Sequence, residues 1–165
     1  MRKLSIIIGA IAVFALTACK DDQEIPKAKT VSMSGEWWLD ASDADSNFVV
    51  SAHDIGHSFL TYNTSDDTDN EIWFDDDGGF WPMKAKMKVD LSNTSFVPGD
   101  TVRNIYNEDA DFILYEGRII KGAATAPSGT KTDSMYMVLG FEDYPEVKWT
   151  LSGYKDTGWP EDRQD

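Results

Sequence analysis

The run Trp81-Pro-Met-Lys-Ala-Lys-Met-Lys-Val89 alternates throughout: Trp81, Met83, Ala85, Met87 and Val89 at odd positions, Lys84, Lys86 and Lys88 between them. Successive side chains of an extended strand point to opposite faces, so this run makes one apolar and one charged face as a strand, and neither as a helix. Pro82 sits near its start, where a missing ladder hydrogen bond costs least. Ser134 to Phe141 repeats the pattern, with Met135, Met137, Leu139 and Phe141 on one side. Segments with one wet and one dry face belong to antiparallel sheets.

Further strands are predicted over Gly35–Leu39, Phe48–Val50, Ser58–Tyr62 and Glu71–Phe74, then Asp111–Tyr115, Arg118–Ala123 and Glu146–Tyr154. Asp40 to Asn47 is a polar turn-forming loop, and Asp75-Asp-Asp-Gly-Gly79 supplies a hairpin turn, since Asp-Gly tolerates positive φ. Helical periodicity is nowhere sustained. About eight or nine short strands joined by sequential hairpins close most simply as an all-β, antiparallel up-and-down barrel. Gly35-Glu36-Trp37 resembles the Gly-x-Trp of lipocalins, which lays a Trp across the closed end of the barrel.

The N-terminus reads as an address. Arg2 and Lys3 precede an apolar run from Leu4 to Leu16, followed by Leu16-Thr17-Ala18-Cys19. That run, about 13 residues, rises roughly 20 Å as a helix, short of the roughly 30 Å hydrocarbon core, and marks an export signal rather than a permanent span. Leu-Thr-Ala-Cys resembles the bacterial lipoprotein processing site. The expected organisation is therefore a cleaved signal peptide over 1–18, a lipidated Cys19 with a polar tether over 19–33, and one barrel domain over 34–165. Cys19 is the only cysteine, so no disulfide is possible. A diacylglycerol plus an N-acyl chain anchors stably. Lys20-Asp21-Asp22-Gln23-Glu24 resembles the acidic tether that marks some lipoproteins for the cell surface. The expected location is the outer membrane, facing outward, with a periplasm-facing orientation as the alternative.

The formal charge is −14, and removing Arg2 and Lys3 makes it more negative. Nucleic acid and anionic lipid surfaces both require a basic patch, and none is evident in the sequence. The expected membrane contact is the lipid anchor itself.

Six blocks in order, Gly35-Glu-Trp-Trp38, Thr61-Tyr-Asn-Thr64, Ile72-Trp-Phe-Asp-Asp76 leading to Phe80-Trp81, Gly117-Arg-Ile-Ile-Lys121, Ser128 to Ser134 and Ser152 to Gly158, resemble a family described as lipid-binding putative hydrolases. These are lipid-anchored, lipocalin-like proteins of anaerobic gut-type bacteria. The resemblance implies a lipocalin-like barrel and an apolar ligand; the hydrolase half of the name maps to no motif in this chain.

From the residues, chemistry is sparse. A nucleophilic hydroxyl needs a base within reach and a group to orient that base, and the only imidazoles are His53 and His57. Gly56-His57-Ser58 is not a nucleophile elbow, and neighbours on a strand point to opposite faces. His53-Asp54-x-x-His57 lacks a third metal ligand. Asp43-x-Asp45-x-Asn47 imitates the opening of a calcium loop, but Phe48 stands where Gly is required and Asp54 where the terminal Glu belongs. The residues lean against catalysis, and no catalytic residue, metal or cofactor is expected.

What remains is apolar bulk. Trp37, Trp73, Trp81, Met83, Met87, Met135, Met137 and Leu139 either line a ligand pocket or fill the barrel, since Met adapts to irregular shapes and Trp offers a broad face. The leading expectation is a barrel binding a hydrophobic or amphiphilic small molecule outside the cell. An accessory subunit of a surface nutrient-capture complex is the alternative; it predicts a filled barrel with aromatics pointing outward near loops. A hydrolase of a lipid-like substrate stands third.

Overall fold

A computed structural model describes residues 26–43, 45, 48–99, 101–144 and 146–163. The signal segment 1–18, Cys19 and the tether through residue 25 lie outside the described residues, as does Asn47 of the calcium-like run.

The chain folds as β1 (Gly35–Ser42), β2 (Phe48–Ser51), a single helical turn α1 (Ala52–Ile55), β3 (Phe59–Asn63), β4 (Glu71–Asp75), β5 (Lys84–Asp90), β6 (Ser95–Phe96), β7 (Thr101–Val102), β8 (Phe112–Thr125), β9 (Lys131–Phe141) and β10 (Trp149–Lys155). A 3₁₀ turn follows at Pro160–Asp162. Every pairing is antiparallel. The order β1-β3-β4-β5-β6-β8-β9-β10 returns to β1 through Trp37↔Lys155 to Ser42↔Thr150, closing an eight-stranded barrel. Closure removes the sheet edges that invite aggregation.

The two remaining strands continue interrupted ones. β3 pairs with the first half of β1 and β2 with the second, α1 separating them. β6 and β7 likewise share the edge of β8. Strands of two residues carry no readable alternation, which is why sequence pattern passes over them. Asp111–Tyr115 and Arg118–Ala123, expected as separate strands, are one strand, β8. Register shifts at Leu114/Glu116 and Ile120/Ala124 let it continue where the alternation breaks.

The alternation that begins at Trp81 becomes strand only at Lys84. Met83, Ala85, Met87 and Val89 are buried, while Lys86 and Lys88 are exposed. Residues 76–83 instead wrap around the Asp76 carboxylate, which accepts from the amides of Gly78 (2.8 Å), Trp81 (2.7 Å) and Met83 (2.8 Å). Three backbone donors claimed by one fully buried side chain cannot also serve a ladder, so the strand starts later. The expected hairpin turn is thereby a longer loop, with Asp77 at φ 51°.

The core runs the length of the barrel. Met33, Trp37, Leu39, Phe59, Phe74 and Met137 have no exposed surface. Each contributes about 1.5–3 kcal/mol by leaving water. Residues 29–33, assigned to the tether by sequence, form turns that bring Thr30 and Met33 under one barrel end and bury them there. The opposite end, the mouth, gathers the β4–β5, β7–β8 and β9–β10 connections.

Candidate functional site

At the closed end, Trp37 is fully buried. Its indole N–H donates to Thr61 Oγ1 (2.8 Å), whose hydroxyl donates to the Met33 carbonyl (2.6 Å). Lys155 Nζ stands 5.8 Å over the indole and donates to the Ser34 carbonyl at 2.7 Å. A Cβ on Gly35 would meet Lys155 Cε at 2.4 Å. Glycine two residues before the tryptophan is therefore what lets the lysine stem cross to reach it.

Met83, Met87, Met135, Met137 and Leu139 join Trp37 in the core, with exposures of 0 to 2 %. Side chains without accessible surface do not line a space that admits even water, so these six fill the barrel. Of the two alternatives open from sequence, pocket lining or core filling, filling holds for them. Trp73 differs again. It alternates with buried Ile72 and Phe74 on β4 and so faces outward, with the ammoniums of Lys84 and Lys86 5.7 and 5.5 Å from its ring.

Among the expected residues, Met87 borders a space of about 360 Å³ with Lys86, Lys88 and residues 97–99 and 101–103, and Trp81 reaches an apolar one. It is half-buried at the mouth and lines an apolar cleft of about 250 Å³ with Phe141, Tyr144, Val147 and Trp149. Trp81 meets Phe141 edge-on (5.5 Å, 88°) and Trp149 at a tilt (5.2 Å, 57°). Phe80 packs against Trp81 at 4.8 Å and against Phe59 at 5.2 Å, so an unbroken chain of rings joins the cleft to the core. Preferred edge-to-face contacts hold the walls in place. The outer lip is formed by residues 142–144 and 146–148, braced by Glu142 N–H to the Asp111 carbonyl (3.1 Å) and Val147 N–H to the Tyr144 carbonyl (3.0 Å).

Sequence alternation identified Phe141 as inward-facing but did not assign it to a site, and it gave no notice of Tyr144, Val147 or Trp149 as partners of Trp81. The one available signal is position: aromatics at strand ends beside long loops. Their convergence needs the barrel closed.

On the outer wall of β3–β5, the Asp75 carboxylate accepts from Lys84 Nζ (2.7 Å), Tyr62 Oη (2.6 Å) and the Asp77 amide (2.9 Å). Burial pushes its pKa up, but these three donors outweigh burial and hold it below the usual carboxylate range. The Asp75 hydrogen bond drives the Lys84 ammonium well above the ordinary lysine range.

Both histidines are engaged structurally. His53 stacks on Trp38 (4.4 Å, 7°), with its Nε2 2.5 Å from the Tyr154 hydroxyl. Burial, with Asp162, Asp156 and Asp40 nearby, pushes that phenol up to about 12. The His57 ring packs against Gly79, and Ser58 donates to Glu36 at 2.8 Å. Among the described residues neither imidazole shares a hydrogen bond with a serine or threonine hydroxyl. Nor do three His, Cys, Asp or Glu side chains come together in a metal-holding group.

Residues 22–160 match the family model described as "Lipid-binding putative hydrolase". The chain belongs to that family. The match spans the whole barrel and bears out the resemblance carried by the six sequence blocks; family and fold together support a lipid-binding barrel. No curated protein matches the chain.

Proposed function

We propose that this member of the family is a lipid-anchored outer-membrane protein whose barrel mouth binds one hydrophobic or amphiphilic small molecule outside the cell. The observation that carries the binding is the aromatic cleft of Trp81, Phe141, Tyr144, Val147 and Trp149. Its volume sits just under the roughly 300–1,000 Å³ of small-molecule sites. It therefore suits a single short chain or ring rather than a two-tailed lipid. Trp37, Met83, Met137 and Leu139, the interior candidates, are fully enclosed.

The anchor rests on Leu16-Thr17-Ala18-Cys19, and outward display on the acidic stretch after it. The described residues from 26 on lead into the barrel at the closed end, opposite the cleft, which is consistent with an outward-facing cleft. Titrating a short-chain amphiphile against the full-length protein tests the binding: saturable quenching of tryptophan fluorescence, lost in Trp81→Ala, is expected, and no difference between the two proteins refutes it. Incorporation of a tagged fatty acid that vanishes in Cys19→Ala tests the anchor, and protease accessibility on intact cells tests display.

A second reading, an accessory subunit of a surface nutrient-capture complex, has its own support. The barrel is filled, and Trp159 and Tyr144 stand outward at 57 and 69 % exposure. Crosslinking on intact cells that traps this chain with a neighbouring surface protein, and loses that product in Trp159→Ala, favours it.

A further inference from the structure

We propose that the mouth cleft selects an amphiphile with a positively charged amine over one with a carboxylate or phosphate. This rests on the binding reading above and concerns the charge of the ligand's head.

The walls of the cleft are almost wholly apolar, so they hold a tail without regard to charge. The head is read by what surrounds the opening. The lip that contributes Tyr144 and Val147 also carries Asp143 and Glu146, exposed and flanking those two wall residues. Glu142, next to wall residue Phe141, accepts from the Thr101 hydroxyl and is exposed.

Of the cations at this end of the barrel, two pair with carboxylates and one stands over a ring. Lys148 Nζ stands 4.2 Å over the Tyr115 ring on the outer wall. Lys84 is held by Asp75 at 2.7 Å, and Arg103 by Glu108 at 2.8 Å. An anionic head arriving at the lip meets the exposed Asp143 and Glu146 carboxylates, which outnumber the Lys148 ammonium beside them, in a molecule of net charge −14. An ammonium head meets two open carboxylates, and the same field that repels the anion steers the cation in.

The test holds the tail constant and varies the head. Octylammonium, octanol and octanoate are each titrated at neutral pH and low salt against full-length protein in nanodiscs, with the Trp81→Ala protein in identical nanodiscs as the blank for partitioning into lipid. The expected order of affinity is octylammonium, octanol, octanoate, spanning roughly tenfold and compressing as salt is raised. The double variant Asp143→Lys, Glu146→Lys is expected to reverse that order while octanol binding stays unchanged. Octanoate binding as tightly as octylammonium, or an order the double variant leaves intact, overturns the charge selection and leaves the site standing. Failure of all three to bind beyond the Trp81→Ala blank removes the site itself.

Discussion

Trp81 and Phe141 meet edge to face across the barrel mouth, ring centroids 5.5 Å apart with planes at 88°. The first belongs to the β4–β5 loop and the second to the end of β9, sixty positions on. Nothing local relates them. Trp81→Ala opens the cleft and removes half-buried aromatic packing. We expect a loss of about 2 kcal/mol in stability, below the 3–5 kcal/mol of a fully buried tryptophan, together with loss of saturable ligand binding. Chemical denaturation and fluorescence titration measure the two effects, and Trp37→Phe at the closed end is expected to lower stability without altering affinity.

Asp76 positions the same indole from beneath. Its fully buried carboxylate holds the amides of Gly78, Trp81 and Met83, and the Met83 bond is itself buried. Asp76→Ala unpairs all three, and a buried donor left without a partner costs about 1–3 kcal/mol, the other two adding less because water reaches them. The expected outcome is a fall of about 3 kcal/mol in unfolding free energy, with faster amide exchange at residues 78–83 than in β9.

Acid is expected to weaken the fold through two carboxylates. The Asp75 carboxyl is held low by the donors of Lys84, Tyr62 and Asp77 against the opposing effect of burial. In Asp162, burial is outweighed by the Thr157 and Ser128 hydrogen bonds. A lowered folded-state pKa means the unfolded chain binds protons more tightly, so this stabilisation is complete above the ordinary carboxylate range and disappears as pH falls through the folded values. Melting temperature should stay level from neutrality to about pH 5 and drop below about pH 4, with a shallower drop in Asp162→Asn. Lys84, whose pKa is raised, contributes below its ordinary value of 10.5 and loses that contribution only as pH rises through the folded value, so it shapes the alkaline limb.

The seam that closes the barrel tolerates no side chain at Gly153. A Cβ there would stand 1.8 Å from the Trp38 carbonyl oxygen, and backbone cannot step aside as a flexible side chain does. Gly153→Ala is expected to cost about 3 kcal/mol, the upper part of the overpacking range, with altered exchange protection along β1 and β10. A change under about 0.5 kcal/mol, ordinary for surface positions, defeats the explanation.

The fold was largely legible because strand alternation is a local property. Met83 to Val89 and Met135 to Leu139 bury the side their period assigns, and Gly35-Glu36-Trp37 opens β1 with Trp37 fully buried. Strands β6 and β7 escaped reading because two residues carry no period, and β8 was divided because its bulges reset the phase. The site was less legible. Alternation says which side of a strand turns inward and is silent on whether that side meets other atoms or open space. Trp37 and Trp81 look alike in sequence; one is sealed under Lys155 and the other stands at an opening.

The sequence alone determined the longer alternating strands, the apolar face of each and the family, since covalent order and residue chemistry carry these. Its lipobox states the expectation of an anchor at Cys19. Only the closed barrel decided that the methionine-rich interior is full and that the aromatic cleft lies at the mouth. Packing density is a property of all eight walls together, and Trp81, Phe141, Tyr144, Val147 and Trp149 become neighbours only once β10 pairs with β1 and β9.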